Sequence, residues 1–183
     1  MALKYLRMYG DLVKRRPFLT QTVTAGILST AGDVVAQYTE KRKTRYSFRR
    51  TAVMSACGFL YFGPVVSVWL NILHKLNLPV MFTVALDQSF AAPLILGGFS
   101  ILHPLLSNQG ITGAISTFKS SFFDILKANW VVWIPAQTIN FSFVPFEYRM
   151  LFVQVVAIFW NMFLSYRANV ALKKKETTTG SNM

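Results

Sequence analysis

Two aspartates stand where an apolar surrounding makes them costly. Asp33 is the one charge in the run Pro17–Tyr38, and Asp87 is the one charge in the run Leu78–Leu106. An ionised carboxylate at the centre of a bilayer costs at least ~2.5 kcal/mol, so such groups turn toward a bundle interior, pair, or take up a proton. Five amides could supply hydrogen bonds to them: Gln88, Gln137, Asn140, Gln154 and Asn161. Arg149 is the candidate cation in the last third of the chain. Two chemistries fit this set. The polar groups line a hydrophilic path or solute site, or they are interhelical glue at about 0.6 kcal/mol per hydrogen bond. The candidate polar core is therefore Asp33, Asp87, Gln88, Gln137, Asn140, Arg149 and Asn161.

Catalytic chemistry finds no support. There is no Gly-x-Ser-x-Gly elbow, phosphate-binding loop or Gly-x-Gly-x-x-Gly. His74 and His103 lie at run ends without Cys or carboxylates at ligand spacing. The single cysteine, Cys57, sits in an apolar run and cannot close an intramolecular disulfide. The chain is expected to be no enzyme and to need neither metal nor cofactor.

The elements that position these residues follow from composition. Hydrophobic residues make up 53% of the 183 and charged residues 14%, against about 25% charged in a soluble domain. Long uncharged runs separate crowded charges at Lys4–Arg16, Glu40–Arg50 and Lys173–Glu176. A helix needs roughly 20 apolar residues to cross a ~30 Å hydrocarbon core. Spans are predicted at about 17–38, 51–73 and 78–106, then at 128–146, at 150–166, or at both. The segment Ile111–Leu126, which carries Lys119 and Asp124, reads as surface or interfacial. The runs are continuously apolar rather than alternating, which disfavours a β-barrel. The predicted fold is all-α: one integral membrane domain over 1–170, a bundle of four or five transmembrane helices with short amphipathic interfacial helices. A basic polar tail, 171–183, is expected to be disordered.

Small residues are placed to let helices approach. Ala25, Ser29, Gly32, Asp33 and Ala36 share one helix face. Ala52, Ala56, Gly63 and Ser67 do the same if the helix continues through Pro64. Asp87, Ala91 and Gly98 align in the third run. Pro64, Pro93 and Pro135 fall inside runs and predict kinks.

The formal net charge is +12, which asks for an anionic partner. In a chain with long apolar runs, anionic lipid headgroups are favoured over nucleic acid. Lys41, Arg42, Lys43, Arg45, Arg49 and Arg50 form the densest candidate headgroup site. Met1–Arg16 mixes basic residues with Leu3, Leu6, Tyr9, Leu12 and Val13 near helical spacing, the pattern of an interfacial helix. Basic clusters flank the first span on both sides, so charge leaves its orientation open.

The order of rarer residues resembles the peroxisomal membrane protein 2/4 (Mpv-seventeen) family. Pro17 is followed by Thr22, Gly26, Gly32-Asp33 and Gln37, then Arg49-Arg50, Gly58, Gly63-Pro64 and Trp69. Asp87-Gln88 and Pro93 come next. The C-terminal block holds Trp130, Trp133, Pro135, Gln137, Asn140-Phe141, Val144-Pro145, Arg149, Trp160-Asn161 and Leu164-Ser165. Many members carry His and Tyr where this chain has Ser67 and Leu70, and Gly63-Pro64-Val65-Val66 is similar to the mitochondrial inner-membrane branch. The resemblance implies a multi-pass protein of that membrane, with the peroxisomal membrane as the alternative. It further implies a weakly selective channel for small solutes, or a regulator of one, linked to membrane potential and mitochondrial DNA maintenance. Homo-oligomers would enlarge the lumen of so small a bundle. The competing reading is a structural or regulatory membrane protein without its own pore, acting through partner complexes.

Overall fold

The computed structural model describes residues 2–39, 46–108 and 110–160. Those residues are almost wholly helical, with no strand among them. Lys41, Arg42, Lys43 and Arg45 of the basic cluster, Asn161 and the tail 171–183 lie outside them.

Helix α1 spans Ala2–Arg15 and ends on Lys14 and Arg15, where positive charge suits a helix C-terminus. Pro17 opens α2, Pro17–Thr39; a proline costs little there because a first-turn N–H has no helical partner. Helix α3 runs continuously over Phe48–Leu76. Ser47 caps it by accepting a hydrogen bond from the Arg50 N–H, and Asn77 stops it in the left-handed conformation at φ 46°. Pro79 precedes α4, Val80–Leu106. Asn108 and Gly110, both at positive φ, turn the chain into α5, Gly110–Phe143. Pro145 separates α5 from α6, which covers 146–160.

Side-chain contacts set the register of α2 against α3. Asp33 meets Arg50 and Thr51, Thr30 meets Ser55, Gly58 lies on Ser29, Gly63 lies on Thr22, and Gln21 meets Ser67. One number rises as the other falls, so the pair is antiparallel. Helix α4 returns along α3, with Tyr61 donating to the Ile95 carbonyl and Trp69 reaching Asp87. Helix α5 packs along α4, and only the contact of α2 with α3 is more extensive among these helices. A core of Ala25, Leu70, Leu73, Val84, Phe141 and Met150 joins α2, α3, α4, α5 and α6.

The small-residue face of α2 is as expected: Ala25, Ser29, Gly32, Asp33 and Ala36 are all buried. On α3 the expected face is displaced by one residue. Gly63 and Ser67 are buried, but Ala52 is exposed and Ala56 half-buried, while Gly58 and Thr51 take the inward positions. The cause is a π-turn at Gly58–Phe62, where the Gly63 N–H bonds the Gly58 carbonyl five residues back. That turn consumes one extra residue and rotates everything before it. A matching π-turn at Asp87–Ala91 ends with the Ala92 N–H on the Asp87 carbonyl. Each π-turn stands immediately before a proline-bearing turn, Gly63-Pro64 and Ala92-Pro93. Widening the helix there relieves the clash of the proline ring with the preceding turn. Helix α5 instead passes through Pro135 without interruption. The same helix absorbs Ile111–Leu126, which extends the fourth apolar run rather than forming a separate surface segment. It buries Ala114 and sets Phe118 and Phe122 against Gly97.

Helices α3 and α4 are long and apolar enough to cross a membrane, with mean hydropathies of 1.7 and 1.6. Only 28% and 11% of their most apolar stretches are buried inside the protein. A core helix of a water-soluble protein would hide those residues, whereas here Leu60, Met81, Phe82, Leu94 and others stand on the outside. Such a surface suits hydrocarbon better than water.

The α2–α3 contact leaves no room for a methyl group. A Cβ on Gly63 would lie 2.8 Å from the Thr22 Cα, which is backbone and cannot swing aside. Gly63→Ala is expected to lower stability by about 1–3 kcal/mol. Gly97→Ala, whose Cβ would meet only ring atoms at 3.5 and 3.7 Å, should be neutral or stabilising. Thermal unfolding of the two variants in detergent measures the difference, and equal midpoints would contradict this packing.

Candidate functional site

Asp87 opens the π-turn of α4. In an ordinary helix adjacent side chains diverge by about 100°. Within the widened turn Asp87 and Gln88 both point inward, each 5% exposed. Three donors converge on the carboxylate. The Trp69 indole N–H gives Oδ1 a bond of 2.7 Å, and the amides of Gln88 and Gln137 reach Oδ2 at 2.7 and 2.9 Å. The amides are oriented from behind. Asn140 donates to the Gln137 carbonyl oxygen at 2.8 Å, and Asn129 donates to that of Gln88 at 3.3 Å. The Trp130 indole N–H binds the Gln88 backbone carbonyl at 3.0 Å. An indole N–H can only donate, and both amides turn their NH2 groups inward, so the site is arranged around an acceptor-only carboxylate.

This cluster borders a partly open cavity of about 260 Å³ lined by residues of α2, α3, α4, α5 and α6. Most of its wall is apolar, with Phe62, Leu96, Phe99 and Trp133 prominent. Its polar groups include Asp87, Gln88, Asn129, Gln137, Gln154 and His103. Both Asp87 and His103 line it, and they are separated by about 24 Å of helix axis at 1.5 Å per residue.

Asp33 belongs to a different place. Its carboxylate takes the Arg50 Nε at 2.8 Å on Oδ1, and Thr51 Oγ1 and Gln37 Nε2 at 2.7 and 2.8 Å on Oδ2. Gln37 also accepts from the Ser47 N–H, and Tyr46 shares a bond with Thr51. This knot ties the end of α2 to the start of α3. About 28 Å of α3 separates Arg50 from Trp69, so the two carboxylates lie toward opposite ends of the bundle.

Of the candidate polar core, the structure brings together Asp87, Gln88, Gln137 and Asn140. It sets Asp33 apart. It also corrects the expected cation. Arg149 touches neither carboxylate; its Nε donates to the Val144 carbonyl at 3.2 Å and its guanidinium lies 5.3 Å from the Phe141 ring centroid. Asp33 is paired by Arg50 instead, because the antiparallel α2–α3 register places them side by side. Arg50, read from sequence with the headgroup cluster, is therefore turned at least partly onto the protein, and Arg49 is exposed. Trp69, Asn129 and Trp130 were absent from the candidate core. Trp69 is the kind of donor a buried carboxylate needs, Asn129 and Trp130 hold Gln88 from behind, and only the fold reveals these contacts. Among the described residues no three of His, Cys, Asp or Glu gather in a way that could hold a metal ion.

Residues 104–165 match the Mpv17 / PMP22 family. The chain is 39% identical over 173 residues to mitochondrial inner membrane protein Mpv17 of Xenopus laevis, covering 89% of this chain and 96% of that one. It is 35% identical over 170 residues to the protein of the same name in Danio rerio, with 89% and 96% covered. Protein SYM1 of Saccharomyces cerevisiae is 35% identical over 185 residues, with 94% of each chain covered. The chain belongs to the Mpv17 / PMP22 family. No solved structure matches it. With relatives named for the mitochondrial inner membrane and two helices fit to cross a bilayer, this family member is a membrane protein of the mitochondrial inner membrane.

The Asp33 knot makes a measurable demand on the family fold. Asp33 has a side chain 2% exposed against 38% for Arg50. Arg50→Ala leaves that carboxylate without its cation and should destabilise by about 2 kcal/mol. Adding Asp33→Asn to Arg50→Ala should recover part of the loss. A double-mutant cycle by thermal or denaturant unfolding reads the coupling, and strictly additive losses would mean the pair is not formed.

Proposed function

We propose that this protein forms, or regulates, a weakly selective pathway for small solutes across the mitochondrial inner membrane. By that route it would support the membrane potential and the maintenance of mitochondrial DNA. The observation that carries the reading is the cavity beside Asp87. Interhelical glue alone calls for close packing, and folded interiors hold few voids larger than a water molecule. Here the polar cluster borders about 260 Å³ of open space instead of closing it.

The crossings we assign are α2, α3, α4, the second half of α5, and α6. Helix α1 serves as an interfacial helix. Its Arg7, Lys14 and Arg15 are exposed beside exposed Tyr5, Leu6, Met8 and Leu12, a face suited to anionic headgroups. Its position is held by Tyr148, whose hydroxyl donates to the Leu6 carbonyl at 3.1 Å, and by Lys14 at 3.5 Å from Glu147. A bundle this small leaves little lumen, so assembly of several copies would widen the path.

Liposomes loaded with solutes of graded size and charge test the proposal. The parent protein is expected to pass small solutes and exclude larger ones, with Asp87→Asn changing the rate or the charge preference several-fold. An impermeable parent, or an Asp87→Asn variant indistinguishable from it, would overturn the reading.

A further inference from the structure

We infer that the cavity binds a small organic monocation, a protonated amine with an apolar body, whose ammonium group sits at Asp87. This deepens the solute path proposed above and rests on that reading for its meaning in transport.

Hydrogen bonding and charge are separate requirements at Asp87, and the described residues meet only the first. Its three partners, Trp69, Gln88 and Gln137, are neutral donors. Among the described residues no lysine or arginine lines the cavity, and Asp87 is the only carboxylate that does. Among the described residues the ion pairs are Lys14–Glu147 and Arg50–Asp33, neither of which involves Asp87. A single carboxylate therefore lines the open space in a low-dielectric interior, where a bound cation would favour its ionised form.

Bonding capacity agrees. Oδ2 already accepts two hydrogen bonds, whereas Oδ1 accepts one, from Trp69. A carboxylate oxygen has two lone-pair sites, so Oδ1 can take one N–H of an ammonium group.

The wall selects the rest of the ligand. A bare inorganic ion would lose its hydration shell to a site whose wall is mostly apolar. One carboxylate is too few for a divalent metal, which takes several oxygen ligands. Leu96, Phe99, Phe62 and Trp133 offer an apolar bed, and aromatic faces attract cations as well. An anion would meet Asp87 itself.

The test uses the full-length protein in lipid nanodiscs and three probes of matched length: hexylammonium, hexanol and hexanoate. Binding is read by calorimetry and by the fluorescence of the tryptophans that line the cavity. Hexylammonium should bind at least tenfold more tightly than hexanol, and hexanoate should not bind. Asp87→Asn should abolish the preference for the cation. Because that variant also changes the acceptor of the donor cluster, Ala92→Leu serves as a second. Ala92 lines the cavity and bonds Asp87 through its backbone N–H, on the Asp87 backbone carbonyl, so the larger side chain should block hexylammonium while the carboxylate stays. Equal binding of hexylammonium and hexanol to the parent would overturn the inference, as would a folded Asp87→Asn that keeps the cation preference. The flux assay decides the pathway independently: binding without flux retains this site and rejects permeation, and flux without binding does the reverse.

Discussion

A carboxylate inside an apolar bundle must have its hydrogen bonds met by the chain itself, and Asp87 shows how much structure that demands. Its donors come from α3, from the next residue of α4 and from α5. None of these helices can slide or rotate without stranding a charged oxygen. A stranded polar group in hydrocarbon costs several kcal/mol, more than the small dispersion terms that otherwise hold membrane helices together. The cluster thus fixes register for three helices at once, and the outer asparagines fix the amides in turn.

The prolines are part of the same arrangement. A proline in mid-helix removes an N–H and crowds the carbonyl four residues before it. In α3 and α4 the chain relaxes that crowding with one extra residue per turn. The two π-turns have different consequences. In α3 the extra residue swings Gly58 onto Ser29 and lets α2 approach as closely as backbone permits. In α4 it turns two neighbouring polar side chains to the same side. A regular helix could bury Asp87 or Gln88 easily, but hardly both with their amide–carboxylate bond of 2.7 Å. Strain relief and site construction are therefore one event in this fold.

Much of this was legible from residues alone. Long uncharged runs require helices in lipid, and the helix ends fall close to the runs because Ser47, Asn77, Pro79 and Pro145 punctuate the chain where charge and proline content change. The face of α2 could be read because nothing interrupts its period of 3.6. The face of α3 could not, since a single inserted residue shifts every position before it, and no side chain of Gly58–Phe62 announces a wider turn. Asp87, Gln88, Gln137 and Asn140 were predictable as a group from their polarity in apolar surroundings. Their separation from Asp33 was not, because helical periodicity gives a residue's face without saying at which end of the bundle two faces meet. Arg149 looked like the natural cation only while the α2–α3 register was unknown.

The difference between the two carboxylates follows from where they sit. Asp33 lies at a helix end, where an arginine can reach it and keep part of its guanidinium in a more polar layer. Arg50 does so, and the pair is neutral. Asp87 lies deeper, beside Trp69 and below the ends of α3 and α4. An arginine brought there would have to shed nearly all its water, and the penalty of burying both ions can exceed their attraction. Neutral donors avoid that penalty while still holding the oxygens. They leave the charge itself unmatched, and an unmatched charge beside a cavity gives any mobile cation a reason to enter. A permanent internal cation would have made a sturdier bundle with no such preference. The donor set at Asp87 therefore bears on what can occupy the interior, while the knot at Asp33 bears on how the first two spans are joined.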